Sequence, residues 1–155
     1  MSNLLKKEKG FTLIEIVLVL AIAGLLLVIV FLAVSGAQKS RRDTQRKNDL
    51  SRITAQIESY ASNTNGCYPG SAAAAGCAAA TTWALFTTST YITASNLNDP
   101  TTGAAYTYAA FTAAPATGTV SYRFGTYCDG TGGGTARGYS VNMGLENGNV
   151  CRDNK

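Results

Sequence analysis

The chain opens with a long apolar run and then changes to a helical periodicity. The 24 residues from Phe11 to Val34 carry a single charge, on Glu15. As a helix this run is about 36 Å long, enough to cross a hydrocarbon layer of about 30 Å. Farther on, apolar residues recur at spacings of three, four and three, at Leu50, Ile53, Ile57 and Tyr60. This spacing marks one face of an amphipathic helix, and since no proline precedes Pro69, the pattern predicts one helix over residues 11–62.

Strict alternation of apolar and polar residues begins only in the last third of the chain. It covers residues 119–124 and 138–143, and Tyr106 with Tyr108 marks an earlier strand. Each alternating segment places its larger apolar residues on one face: Val120, Tyr122 and Phe124 in the first, and Tyr139, Val141 and Met143 in the second. Asn147-Gly148 is a tight-turn signal, and the glycine run 130–134 is typical of a hairpin loop. Residues 82–92 predict a short helix or turn packed on the core.

These elements predict an α+β fold, in which a long N-terminal α-helix packs against a small antiparallel β-sheet head. One half of the helix is transmembrane and the other half is amphipathic. We divide the chain into a leader (1–10), a membrane-spanning helix (11–36), an amphipathic continuation (37–62) and a disulfide-bonded head (63–155).

Composition argues against an enzyme. The chain has no histidine, which excludes Ser-His and Cys-His nucleophile pairs and histidine-ligated zinc. The glycine run 130–134 lacks the Lys-Ser/Thr of a phosphate-binding loop. The late acidic residues, Asp99, Asp129, Glu146 and Asp153, lack calcium-loop spacing. We therefore predict no catalytic residues, no cofactor and no metal.

The four cysteines, Cys67, Cys77, Cys128 and Cys151, all lie in the head. No two of them have C-x-x-C spacing, so extracytoplasmic disulfides fit better than a zinc site. Three pairings are possible, and we favour the nearest neighbours in sequence, Cys67–Cys77 and Cys128–Cys151.

The string Gly10-Phe11-Thr12-Leu13-Ile14-Glu15 follows a short lysine-bearing leader and opens the apolar run. It closely resembles the type III signal sequence of type IV pilins and type II secretion pseudopilins. The resemblance implies that a prepilin peptidase cuts between Gly10 and Phe11 and methylates the new N-terminus at Phe11. A secretory signal peptide, cut near Ser35-Gly36-Ala37, is an alternative, but its apolar region is usually about 7–15 residues long. A plain membrane anchor leaves Glu15 unexplained.

Glu15 lies inside the apolar run, where an ionised carboxylate costs on the order of a few kcal/mol and therefore needs a partner. The α-amino group created at Phe11 is four residues away, a spacing that places two residues on the same helix face. In the family, the matching glutamate meets the N-terminal amine of a neighbouring subunit, which implies an assembly charge pair between Glu15 and Phe11. The alternative is a carboxylate near the helix end that reaches the headgroups.

The resemblance also implies partners and a location. The precursor would be a single-pass protein of the inner (cytoplasmic) membrane with its head outside, and the assembled form an extracellular filament. Its partners would be further copies of itself, the prepilin peptidase, and the pilus assembly platform with its ATPase. The distribution of charge favours the opposite topology, because the more positive flank of a membrane span usually lies in the cytoplasm. Here the net charge is +2 before the span and +4 over residues 37–52. We give more weight to the signal-sequence motif and to the four cysteines of the head, which both favour a head outside the cytoplasm.

Residues 37–52, the neck, carry six basic and two acidic residues. For Arg41, Arg42, Arg46 and Lys47 we expect a solvated helix surface that contacts lipid headgroups before assembly and pairs with other subunits afterwards. An Asp43–Lys47 pair at i,i+4 would add local support. Nucleic-acid binding is a minor alternative.

Three functions are consistent with the resemblance. The first is a type IV prepilin that builds a pilus for adhesion, motility or DNA uptake. The alternatives are a pseudopilin of a type II secretion system, a family in which the major subunit holds calcium in late loops, and a minor pilin or adhesin. One departure from many relatives is the absence of a proline about twenty residues past the cut, which leaves Gly24 as the weak point of the helix.

Overall fold

The structure is a computed structural model that describes residues 10–71, 76–77, 80–93, 95, 97–132 and 138–155. Leader residues 1–9 and the end of the glycine run, 133–134, lie outside the described residues. The chain divides into two compact units, Met1–Gln38 and Lys39–Lys155.

The first element, helix α1, spans Leu13–Asn63 and has 51 residues. Within the first unit its large apolar side chains, from Leu13 to Val34, are 45–83% exposed. Among the described residues, α1 is the one helix that is long and apolar enough to cross a membrane. The predicted helix is therefore present, but it begins two residues later than expected.

In the second unit, α1 is buried along the predicted face. Leu50, Ile53 and Ile57 are fully buried, and Tyr60 is 7% exposed. The helix ends where Asn65 and Gly66 adopt positive φ and the Gly66 N–H donates to the Ala61 carbonyl at 2.7 Å. This closure turns the chain toward the head.

Four strands form one sheet in the order β1-β2-β3-β4: β1 Thr107–Ala110, β2 Thr119–Phe124, β3 Tyr139–Leu145 and β4 Gly148–Asp153. The pairs β2–β3 and β3–β4 are antiparallel, whereas β1 pairs with β2 in parallel. The α+β class is confirmed, but the expectation of an antiparallel sheet is wrong, because the sheet is mixed.

The connection between β1 and β2 explains the parallel pair. Instead of turning back as a hairpin, residues 111–118 cross the outer face of β3, where Asn142 Nδ2 donates to the carbonyls of Thr112 (3.3 Å) and Ala113 (2.7 Å). A Cβ on Gly144 would overlap the Ala116 carbonyl, so the close approach requires glycine there. The crossover buries both faces of β3, including its polar residues.

The β3–β4 hairpin turns at Glu146 and Asn147, because Leu145 pairs with Gly148. The predicted Asn147-Gly148 turn is therefore one residue late. Gly148 has a φ of 94°, which favours glycine at the start of β4.

Two short helices cover the remaining side of the core: α2 Trp83–Thr88 and α3 Thr90–Thr93. They insert Phe86 (0% exposed) and Ile92 (5%), as the sequence predicts. Trp83 stacks on Tyr122, with ring centroids 4.4 Å apart, which joins α2 to β2.

Candidate functional site

The start of α1 is a reciprocal capping arrangement. Thr12 precedes the helix, and its backbone N–H and hydroxyl donate to Glu15 Oε2 at 3.0 and 2.9 Å. The Glu15 N–H lies 3.4 Å from Thr12 Oγ1. This is a capping box, in which a threonine and a glutamate three residues later satisfy donors that the first turn leaves free. The T-x-x-E spacing was visible in the sequence, but its capping role was missed.

The capping box changes the expected relation between Phe11 and Glu15. Since α1 begins at Leu13, Phe11 lies outside the helix and does not share an i,i+4 helix face with Glu15. Both Thr12 donors use Oε2, and among the described residues Glu15 Oε1 receives no hydrogen bond. One carboxylate oxygen is therefore available to a further donor.

The surroundings of this carboxylate are apolar and open. The Phe11 side chain is 84% exposed. With Glu15, Ile16, Val19 and Leu20 it lines a recess of about 420 Å³. Gly10 is exposed as well, and no described side chain or distant backbone lies within 4 Å of where its Cβ would be. Among the described residues, nothing therefore covers the Gly10–Phe11 peptide bond.

The neck does not behave as a uniformly solvated surface. The side chain of Arg46 is 0% exposed and forms ion pairs with Asp43 (3.0 Å), Asp99 (2.6 Å) and Glu146 (3.2 Å). Its Nη2 also donates to Thr101 Oγ1 at 2.7 Å. The expectation that Arg46 is solvated is wrong, because three carboxylates surround its guanidinium inside the second unit.

Asp43 links the neck to the β3–β4 turn. Its carboxylate accepts the backbone N–H groups of Glu146 (2.9 Å) and Asn147 (3.2 Å) in addition to Arg46. The expected Asp43–Lys47 pair is absent among the described residues, and Lys47 is exposed. The i,i+3 partner Arg46 takes its place because it lies on the buried face of α1.

Glu146 is held by two arginines. Arg42 Nη2 donates to its Oε2 at 2.8 Å, and Arg46 contacts its Oε1. The Arg42 hydrogen bond, with a smaller effect from Arg46, lowers the pKa of Glu146 to about 2. Burial alone would lower the pKa of Arg46, but hydrogen bonds to Asp99 and Glu146 raise it above its ordinary value.

Sequence reasoning missed this cluster because its members are far apart along the chain. Arg46 is separated from Asp99 by 53 residues and from Glu146 by 100. Asp99 and Glu146, which look scattered in the sequence, meet at one guanidinium. Asp129 lies with Lys155 instead (2.6 Å), and this contact lowers the pKa of Asp129. Asp153 accepts the Cys128 N–H at 2.8 Å.

The structure pairs Cys67 with Cys77 and Cys128 with Cys151, the nearest-neighbour arrangement that the sequence favoured. No described cysteine is free. The second bond ties the loop after β2 to β4. No group of three or more described side chains is arranged to hold a metal ion.

Comparison with known proteins finds a family match at the start of the chain. Residues 5–31 match the family model of the prokaryotic N-terminal methylation motif. The match covers Gly10, Phe11 and Glu15 and fits the signal sequence of type IV pilins and pseudopilins. No curated protein and no solved structure matches the chain.

Proposed function

We propose that the protein is a type IV prepilin, a structural and non-enzymatic subunit of an extracellular pilus. Prepilin peptidase removes residues 1–10 by cutting between Gly10 and Phe11, and Phe11 is then N-methylated. The observation that carries the proposal is the methylation motif at residues 5–31, which opens a helix whose apolar segment has no buried residue in its most hydrophobic window.

The exposed segment supports assembly with further copies. Its large apolar side chains remain 45–84% exposed in the monomer, so lipid or other helices must cover them. Lipid tails are as apolar as a neighbouring leucine, so hydrophobicity alone does not favour leaving the membrane. Packing and polar pairing must supply the selectivity, with work from the assembly platform and its ATPase.

The polar pairing is supplied by Glu15. Its Oε1 receives no hydrogen bond among the described residues, and an ionised carboxylate in lipid costs on the order of a few kcal/mol. Cleavage creates a cationic amine at Phe11. In the proposed filament, the Phe11 amine of one subunit donates to the Glu15 carboxylate of its neighbour. The capping box holds the carboxylate in place for this contact.

The proposed location follows from the two disulfides, which favour an oxidising compartment for the head. The precursor is then anchored once in the cytoplasmic membrane, with its head outside, until it enters the filament.

The decisive experiment is mass spectrometry of filaments sheared from cells. The expected first residue is methylated Phe11, whereas an N-terminus at Met1 or Gln38 contradicts the proposal. Gly10→Val should leave the leader attached and prevent assembly. Gly36→Val, the matched change at the alternative signal-peptide site, should leave the N-terminus unchanged.

The methylation motif fits a type II secretion pseudopilin equally well. The two disulfides favour the pilin assignment. Deletion of the gene separates the two functions: loss of long surface fibres with normal protein secretion supports a pilin. Blocked secretion with unchanged fibres supports a pseudopilin.

A further inference from the structure

The neck contains two kinds of cation. Arg42 and Arg46 are paired inside the second unit, whereas Lys39, Arg41 and Lys47 are exposed. In the part of the chain that the structure describes, none of these three exposed side chains has a hydrogen bond or an ion pair. They need counter-ions from outside the protein.

A second copy of the head is poorly suited to supply those counter-ions. The second unit has seven acidic residues, and each carboxylate already accepts a hydrogen bond from its own chain. They are Asp43, Asp49, Glu58, Asp99, Asp129, Glu146 and Asp153. The inter-subunit ion pairing expected from the sequence would therefore have to share a carboxylate that already accepts a hydrogen bond within its own chain.

The directions of the Lys39 and Arg41 side chains restrict which kind of partner can contact both of them. Lys39 and Arg41 are two residues apart on α1, so their directions differ by roughly 200° and they lie on opposite sides of the helix. A flat partner, such as a protein face or a DNA duplex, contacts only one of them at a time. A layer that surrounds the helix contacts both.

The position along the chain fits the headgroup layer. Lys39 and Arg41 follow Val34 by five and seven residues, or about 7.5 and 10.5 Å of helix, and the headgroups occupy about 5–8 Å beyond the hydrocarbon on each side. Side chains on a helix lean toward its N-terminus, here toward the membrane. Lys47 follows Val34 by thirteen residues, or about 20 Å of helix, so it lies about 12–15 Å beyond the headgroups, which is more than a Debye length of about 10 Å.

We infer that Lys39 and Arg41 form a cationic collar that binds the phosphates of anionic lipids in the leaflet facing the head. The collar holds the span at a fixed depth in the precursor and is released when the subunit leaves the membrane. Each cation near an anionic surface favours binding by about fivefold. This inference rests on the proposed insertion of residues 11–36 into a membrane.

The test places the full chain in vesicles of phosphatidylcholine with phosphatidylglycerol and measures lipid selectivity at the protein by spin-label electron paramagnetic resonance. The wild type should select phosphatidylglycerol. Lys39→Gln/Arg41→Gln should lower that selectivity by at least about fivefold, and 1 M salt should have the same effect on wild type because the Debye length falls to about 3 Å.

The matched control is Lys47→Gln/Arg152→Gln, which removes two exposed cations that have no hydrogen bond or ion pair with any described residue. It should keep the wild-type selectivity. The leader lysines are the same in all variants, so a difference between the two double variants reports Lys39 and Arg41. Equal lipid selectivity in the two double variants would contradict the collar. Binding to duplex DNA that depends on Lys39 and Arg41 and is stronger than binding to the vesicles would contradict it as well.

Membrane insertion is measured separately, by resistance to alkaline extraction from pure phosphatidylcholine vesicles. A chain that resists extraction but shows no selectivity refutes the collar and leaves the proposed function intact. A chain that is extracted from the vesicles refutes both.

Discussion

Replacing Arg46 should remove a buried electrostatic link between helix α1 and the head. Arg46→Met keeps most of the side-chain volume but removes the charge that Asp43, Asp99 and Glu146 share. The Asp43 and Asp99 side chains are only 7% and 8% exposed, so the loss leaves buried carboxylates without their cation. Breaking a buried ion pair in this way typically lowers the free energy of unfolding by about 3–5 kcal/mol.

Local hydrogen bonds limit the damage. Asp43 still accepts the Glu146 N–H at 2.9 Å, and Asp99 still accepts the Thr101 N–H at 2.8 Å. We therefore expect the lower end of the range, about 3 kcal/mol, which is a large part of the 5–15 kcal/mol by which domains are usually stable.

The assay is urea unfolding of the full chain in detergent micelles, followed by fluorescence of Trp83. This residue is the only tryptophan in the sequence, and it stacks on Tyr122 in the core. The midpoint should fall without a change in the slope of free energy against denaturant. Lys47→Met, on the same helix but exposed, is the matched control and should stay within about 0.5 kcal/mol of wild type.

A double variant tests the cause of the loss. Arg46→Met/Asp99→Asn removes one of the stranded charges, so its loss should be smaller than the sum of the two single losses by about 0.5–3 kcal/mol. If Arg46→Met costs no more than Lys47→Met, or if the two single losses simply add, the cluster does not hold α1 to the head.

The pKa of Glu146 is lowered, so the carboxylate stabilises the fold above pH 4.5 and this contribution is lost as the pH falls toward 2. In Glu146→Gln the thermal unfolding midpoint should therefore depend less on pH between 4.5 and 2 than in wild type. Cys128→Ser/Cys151→Ser should cost about 2–4 kcal/mol in urea unfolding, and a smaller loss would mean that β4 does not need the bond. Glu15→Gln, which keeps the capping box, should lower incorporation into filaments beside wild type as much as Glu15→Leu does. Incorporation of the Gln variant at wild-type yield would exclude the charge pair.

The sequence alone predicted the features that depend on local spacing. The apolar run, the buried face of α1 at Leu50 and Ile53, and the strands at 119–124 and 138–143 follow from periodicities of 3.6 and 2 residues. The methylation motif is equally local, because its residues are contiguous. The capping box of Thr12 and Glu15 could have been predicted too, since both partners lie within one turn.

Tertiary structure decided what depends on residues far apart in sequence. The parallel pairing of β1 with β2 arises because residues 111–118 cross β3, at a point where Gly144 leaves room for the Ala116 carbonyl. The burial of Arg46 arises because the fold brings Asp99 and Glu146 to the same face of α1. In the sequence Arg46 and Lys47 are adjacent cations of one basic run. Only long-range packing makes the first a buried link and leaves the second in solvent, because a side chain's surroundings depend on which distant segments cover it.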